Sequence, residues 1–249
     1  MWRYAKLVMF EKIFLFSMNI VKRMFTKRVE TINCGSEYGG FAIYDKNIKR
    51  KRKSIVFSFG VGEDISFDLD LIERYNCEVY AFDPTPKSIN WVKKQNIDDR
   101  FHFFPYGISD RDGMEKFHLP KNPEYVSGSV LSSEALSEST IDVQMKRFST
   151  IVSELQVGGY IDILKMDIEG SEFSVIPDIL NSDIHINQIC VEIHYRMKIK
   201  ENSNKISKVL ANSLLNKHLI NIMKQMKKHN YVCINISNTY EEFTFLKVK

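Results

Sequence analysis

The order of elements along the chain predicts an α/β fold: a doubly wound, mostly parallel sheet of the seven-stranded type, with helices on both faces and a C-terminal antiparallel strand pair. Three observations carry this expectation. Short apolar runs rich in β-branched and aromatic residues, SIVFSF (54–59), EVYAF (78–82) and IDILKM (161–166), alternate with segments of helical spacing, the pattern of strands buried on both faces by crossover helices. Turn residues punctuate them: Gly60 and Gly62 follow the first run, and Pro84 and Pro86 follow the second. The chain then closes on two strand-like runs around Asn238-Thr239-Tyr240, too close together for anything but antiparallel pairing.

Taken in order, Thr31–Tyr44 reads as short strands around glycine turns, and Lys49–Lys53 as a solvated basic lead-in. Ser54–Phe59 is the first core strand. Ser66–Tyr75 is a helix with Phe67, Leu71, Ile72 and Tyr75 on one face. Glu78–Phe82 is a strand, Lys87–Lys94 a helix started by the prolines, and Phe101–Tyr106 a third strand. Ser109–Ser139 is expected to be irregular, with Val143–Phe148 a strand and Ser149 capping a helix to Leu155. Ile161–Met166, Gln188–His194, Tyr231–Ser237 and Glu242–Val248 complete the strands; Ser171–Leu180 and Ile206–Lys228 complete the helices. The expected organisation is a basic amphipathic extension (1–30), a strand-and-turn lead-in (31–53) and one domain (54–249).

The 249 residues, 44% hydrophobic and 27% charged, suit one such domain with a short extension and exclude wholesale disorder. The net charge of +4 is unevenly spread. Residues 1–30 hold seven basic and two acidic side chains, residues 31–53 six and two, and the rest of the chain is acidic overall. A basic excess outside the core argues against a nucleic-acid partner. Cys34, Cys77, Cys190 and Cys233 form no CxxC pair, so no zinc pattern is present and buried free thiols of a reducing compartment are expected. Leu7–Val21 is apolar but broken by Glu11 and Lys12, too short and charged to span a membrane. No small-residue cleavage site follows it. The segment reads either as a helix packed on the core or at an oligomer contact, or as a basic amphipathic helix on a membrane surface. The expected location is the cytoplasm, with peripheral contact at the inner face of the membrane in the second reading.

The turn Phe59-Gly60-Val61-Gly62-Glu63-Asp64 and the carboxylate of Asp83, 23 residues after Gly60, form a paired signal. Glycines let backbone turn sharply against a ligand, and an acidic residue closing the next strand can accept both hydroxyls of a ribose. This spacing points to an adenosine-containing cofactor. Ile65 stands where a dinucleotide site needs its third glycine, and Glu63 and Asp64 would repel a pyrophosphate. S-adenosyl-L-methionine, with no pyrophosphate and a cationic amino group, suits the turn better.

Two further blocks resemble those of a known family. Ile163-Leu164-Lys165-Met166-Asp167-Ile168-Glu169-Gly170-Ser171-Glu172 resembles the hallmark block of FkbM-type methyltransferases, and Ala81-Phe82-Asp83-Pro84-Thr85-Pro86 resembles their block after the second strand, usually written with Glu. Val191-Glu192-Ile193-His194 and Tyr106-Gly107-Ile108-Ser109 are similar to two later blocks. Ser58 stands where many members have Asp. The resemblance covers roughly residues 54–248 and implies a class I, Rossmann-like methyltransferase using S-adenosyl-L-methionine. It further implies that Gly60 and Gly62 line the methionine end, that Asp83 holds the ribose, that Gly107 and Ile108 border the adenine, that Phe59, Asp64 and Pro84 also belong to the cofactor site, and that Asp167 lies near the sulfonium or the acceptor.

Transfer to a hydroxyl requires an in-line acceptor and a base for its proton. Asp167 and His194 are the candidate bases, with Glu169 a third and Lys165 an orienting partner on the same strand face as Asp167. No metal is expected, although Asp167, Glu169 and His194 are the groups that would converge on a cation. By resemblance the acceptor is a hydroxyl on a sugar, glycan or natural product. The stretch Ser109–Ser139 is the candidate lid, with Tyr125, Ser127 and Ser129 as polar contacts, and Trp91 and Tyr106 read first as core-packing residues and second as sugar-stacking rings. Two rival readings are an NAD-type oxidoreductase and a non-catalytic cofactor-binding homologue. The oligomeric state is not specified by the sequence.

Overall fold

The structure, a computed structural model, describes residues 19–20, 22–48, 53–120, 136–195 and 216–248. The central sheet has seven strands in the order β11-β12-β10-β9-β3-β4-β5. These are β3 (Ile55–Phe59), β4 (Glu78–Phe82), β5 (Phe101–Phe104), β9 (Tyr160–Met166), β10 (His185–Glu192), β11 (Tyr231–Ile236) and β12 (Glu242–Lys247). Strands β5, β4, β3, β9 and β10 run parallel, and β12 lies antiparallel between β10 and β11. This is the doubly wound arrangement expected, and it is the class I methyltransferase fold. The strand order reverses direction at β3 and β9, and the crevice at their carboxyl ends is where such folds take ligands.

Helices α1 (Ser66–Tyr75) and α2 (Pro86–Val92) follow β3 and β4; α3 (Phe148–Leu155), α4 (Glu172–Leu180) and α5 (Lys217–Lys228) follow later in the chain. Two apolar cores result. One joins Phe57, Phe59 and Phe82 to α3, α4 and α5, and the other joins Val56, Val79 and Ala81 to α1. The alternation of Val56 and Phe57 between them is the pleat of a strand buried on both faces. Thr85 caps α2, accepting from the Ser88 N–H, with Pro86 in the first turn.

A two-stranded ribbon, β1 (Ile32–Cys34) and β2 (Phe41–Ile43), packs on the α1 side. Residues beyond it are tied in as well. The Lys27 N–H donates to the Cys233 carbonyl, Lys22 Nζ donates to the Ser237 carbonyl, and Phe25 packs against the core. The end of the basic extension is therefore part of the domain rather than a separate appendage. Among the described residues no helix is long and apolar enough to cross a membrane.

The stretch after β5 departs from expectation. Residues 109–139 contain ordered strand: β7 (Gly113–Pro120) pairs antiparallel with β8 (Leu136–Lys146), which also pairs with β6 (Gly107–Ile108). Exposed Lys116, Asp142 and Gln144 alternate with buried Glu115, Phe117, Val143 and Met145, and this period of two was hidden by Ser, Pro and Gly around it. The helix after β8 starts at Phe148, one residue before Ser149, and has Arg147 at its N-cap with no side-chain cap. Likewise Ser171 makes no side-chain cap for α4. The proposed lid residues Tyr125, Ser127 and Ser129, residues 49–52 of the basic run, and residues 1–18 and 206–215 lie outside the described residues.

Candidate active site

A cleft of about 820 Å³ opens at the carboxyl ends of β3, β4, β9 and β10, within the size range of small-molecule sites. Phe59, Gly60, Gly62, Asp64, Asp83, Pro84, Gly107, Ile108, Lys165, Asp167 and His194 all line it. The structure thus gathers these cofactor and catalytic candidates around one cleft. It adds residues that the sequence pattern had not marked: Glu37, Tyr38 and Phe41 from the β1–β2 ribbon, Phe117 and Met145 from the β7–β8 hairpin, and Glu241 and Glu242; Glu192, marked in the sequence only as part of a block, lines it too. Trp91 and Tyr106 do not line the cleft. Trp91 packs among the α1-side residues, and Tyr106 packs beside Phe82 and Phe104 with Lys146 over its ring.

The glycine turn is held from three sides. Gly60 has φ +80° and lies against the backbone of Asp167: a Cβ there would sit 1.7 Å from the Asp167 carbonyl oxygen. The Asp167 N–H in turn donates to the Phe59 carbonyl at 2.9 Å. Lys165 is almost wholly buried, and its Nζ donates to the Gly60 carbonyl at 2.8 Å. Below the turn, Asp68 of α1 is fully buried on the same side as Lys165 and Ser58; burial pushes its carboxyl up to about 6, against the pull of the Lys165 ammonium. A carboxylate is thus present under the turn although Ser58 stands on the strand.

Asp83 is more committed than its sequence role implied. Its Oδ2 accepts the N–H groups of Val61 (3.0 Å) and Gly62 (2.9 Å), and its Oδ1 accepts the Thr85 N–H and hydroxyl. Its buried carboxylate clamps the glycine turn onto the start of α2, so any ribose contact would use lone pairs left over. The loop N–H groups a pyrophosphate would need are therefore already taken. The carboxylate-rich turn fits a cation-bearing cofactor such as S-adenosyl-L-methionine and does not fit a dinucleotide. Asp83→Ala leaves these buried donors unpaired, each costing about 1–3 kcal/mol. Affinity for S-adenosyl-L-methionine in equilibrium dialysis should fall at least tenfold, and unchanged affinity would remove Asp83 from the site.

The other end of the cleft is built around His194. Its Nδ1 donates to Glu172 at 2.9 Å, and its Nε2 lies 3.2 Å from Glu169, 3.7 Å from Glu192 and 3.9 Å from Asp167. Fully buried Glu172 opens α4 and also accepts the Gly170 N–H, so one carboxylate shapes the turn and aims the imidazole. Glu169 is held at φ +52°, a left-handed conformation rare for a non-glycine residue and common at functional sites. Burial opposes charge on His194, but hydrogen bonds to Glu169 and Glu172 outweigh it and push its pKa up to about 12. His194 is therefore an imidazolium at neutral pH and not the resting base. Burial raises Asp167 to about 6, and burial together with Asp167 raises Glu192 to about 8. Glu192 also stands opposite Glu242 across β10 and β12, a like-charge pair.

A pH test follows from Glu192. Its carboxyl titrates near 8 when folded and near 4.3 when unfolded. The folded state holds the proton more tightly, so the group's contribution is full below pH 4 and is lost as pH rises toward 8. Glu192→Gln should raise Tm at pH 8 by about 2–4 °C and leave it unchanged at pH 4, measured in buffer free of divalent cations. An equal shift at both pH values would show that Glu192 is not perturbed.

Fold, glycine turn and carboxylate-rich cleft define an S-adenosylmethionine-dependent methyltransferase of the Rossmann-like class. The family model described as "Methyltransferase FkbM domain" matches residues 35–233, and the chain belongs to that family. A comparison with curated proteins finds no match. Similar solved structures include the N-terminal domain of human METTL16 in complex with SAH, at 9% identity and TM-score 0.41, covering 80% of this chain and 63% of that one. Fibrillarin from Methanococcus jannaschii is similar at 9% identity and TM-score 0.44, covering 89% and 84%. SAH-bound PaMTH1 of Podospora anserina is similar at 9% and 0.42, covering 79% and 72%. The chain spans under two thirds of the METTL16 domain's length.

Proposed function

We propose that this methyltransferase acts on a hydroxyl group of a sugar, glycan or natural product. The observation that supports this reading is the pair of carboxyls, Asp167 and Glu192, with raised pKa values at one end of the cleft. When bound, S-adenosyl-L-methionine supplies an electrophilic methyl group on a sulfonium. The chain's own residues have three tasks. The glycine turn and Asp83 fix one wall, so that an acceptor meets the methyl group in line. Asp167, ionised at pH 7 yet basic for a carboxylate, takes the hydroxyl proton as the new O–CH₃ bond forms. The His194 imidazolium, held by Glu172 and Glu169, keeps the surrounding negative charges in place. Tyr38, an exposed aromatic at the cleft edge, offers an apolar face to an acceptor ring.

The deciding experiment is transfer of labelled methyl from S-adenosyl-L-methionine onto a panel of saccharides, with the site of methylation read by NMR. Label on carbon-bound oxygen supports the reading; label only on nitrogen acceptors, or none despite cofactor binding, ends it. The basic extension supports a second part of the proposal, contact with an anionic membrane where glycans are assembled. Because Lys22, Phe25 and Lys27 are built into the domain, the deletion that tests this stops at residue 18. Unchanged liposome binding in that variant would remove the membrane contact.

A further inference from the structure

We propose that Asp167, Glu192 and His194 form a binding site for one divalent cation, of the manganese or magnesium type, at the acceptor end of the cleft. The proposal rests on the methyltransferase reading only for the ion's purpose, which is to hold the acceptor oxygen beside Asp167. The three donor atoms come from the ends of two adjacent parallel strands, β9 and β10, and all lie within 4.8 Å of one another. Nε2 of His194 is 3.9 Å from Asp167 Oδ1 and 3.7 Å from Glu192 Oε1. Those separations are too long for hydrogen bonds. They match donors placed around one ion at about 2.1–2.2 Å, whose mutual separations run from about 3 to 4.4 Å.

Three independent features fit an ion there. The Asp167 Oδ1 atom is buried and accepts no hydrogen bond; only the His194 ring faces it, at 3.9 Å, which leaves its lone pairs open to an ion. The imidazole is oriented from behind: Nδ1 donates to the fully buried Glu172, so that Nε2 faces the carboxylates. A carboxylate behind a ligating histidine is the arrangement that fixes ring and tautomer at metal sites. Negative charge is also in surplus. Asp167, Glu169, Glu172 and Glu192 surround one imidazole, Glu242 faces Glu192 across the sheet, and Lys165 is turned away to the Gly60 carbonyl. A proton on Nε2 and a metal ion are alternative cations for this pocket, so ion binding releases that proton and weakens as pH falls. Two carboxylates with one imidazole suit manganese, and magnesium more weakly.

The test uses the full chain, treated with chelator and titrated with Mn²⁺ under EPR, with cofactor binding followed in parallel by equilibrium dialysis. Wild type should bind one equivalent, and pulsed EPR should show coupling to one nitrogen. Glu192→Gln should weaken binding at least tenfold, and His194→Gln should lose the nitrogen coupling, with circular dichroism unchanged in both. Mn²⁺ binding equal in wild type and Glu192→Gln, or displaced competitively by S-adenosyl-L-methionine, overturns the site; in the second case the cluster is the hole for the cofactor's own cation. Cofactor binding without Mn²⁺ binding overturns the cation site alone. Mn²⁺ binding without cofactor binding supports the site and overturns the proposed function instead.

Discussion

Gly60→Ala is expected to abolish methyl transfer and to lower Tm by roughly 4–20 °C. Two costs combine. At φ +80° an L side chain is strained, which costs about 1–2 kcal/mol. The added Cβ would also lie 1.7 Å from the backbone carbonyl of Asp167, and overpacking against backbone costs about 1–3 kcal/mol more. For a domain of this size each kcal/mol is worth about 2–4 °C. The position has a functional reach that its size hides: relief of the clash requires the turn or the end of β9 to move, and these carry the cofactor wall and Asp167. Gly158→Ala is the control. Its φ is +82°, but nothing lies within 4 Å of the new Cβ. It should cost about 1 kcal/mol and leave methyl transfer intact. Equal effects of the two substitutions would show that the turn does not abut Asp167.

Asp167→Asn is expected to cut turnover by about 10²–10⁴-fold while affinity for S-adenosyl-L-methionine changes less than tenfold. The amide keeps the shape of the carboxylate but cannot accept the acceptor's proton, and that proton transfer carries a rate factor of this order. In wild type assayed in buffer free of divalent cations, kcat/KM should rise with pH through about 6, where burial places the Asp167 carboxyl. The rise follows the deprotonated fraction of the base, and the variant should lack it. A variant that keeps wild-type turnover would remove Asp167 from the chemistry, and one that loses cofactor binding to the same degree as turnover would assign it to the cofactor.

The cofactor end was largely legible in the sequence because it is local. Gly60, Gly62 and the residues before them occupy one turn, and a strand followed by a turn and a helix is specified by short-range pattern. The same holds for α1, whose limits at Ser66 and Tyr75 the apolar spacing gave without error. Asp83 was found for the right place and with an incomplete role. Its spacing from Gly60 marked a site, but only the folded geometry shows its oxygens taken by Val61, Gly62 and Thr85. Of the β7–β8 hairpin only the end of β8 was expected, as the strand Val143–Phe148; β7 and the pairing were missed because the alternation is weak and the partners are far apart in sequence. Phe117 and Met145 could have been found by scoring the period of two across 113–120 and 141–146.

The histidine cluster marks the boundary most clearly. The sequence offered Asp167, Glu169 and His194 as chemically able groups, and His194 as a base. Glu242 became part of the site only because β12 inserts antiparallel beside β10 and sets it opposite Glu192. What the sequence determined alone was the order of strands and helices, the glycine turn and the family to which the chain belongs, since each is written in neighbouring residues. What only the tertiary structure decided was protonation and pairing: which carboxylates crowd the His194 imidazole, and that it is charged. Electrostatic energy depends on distance through space and on burial, and neither is fixed by separation along the chain.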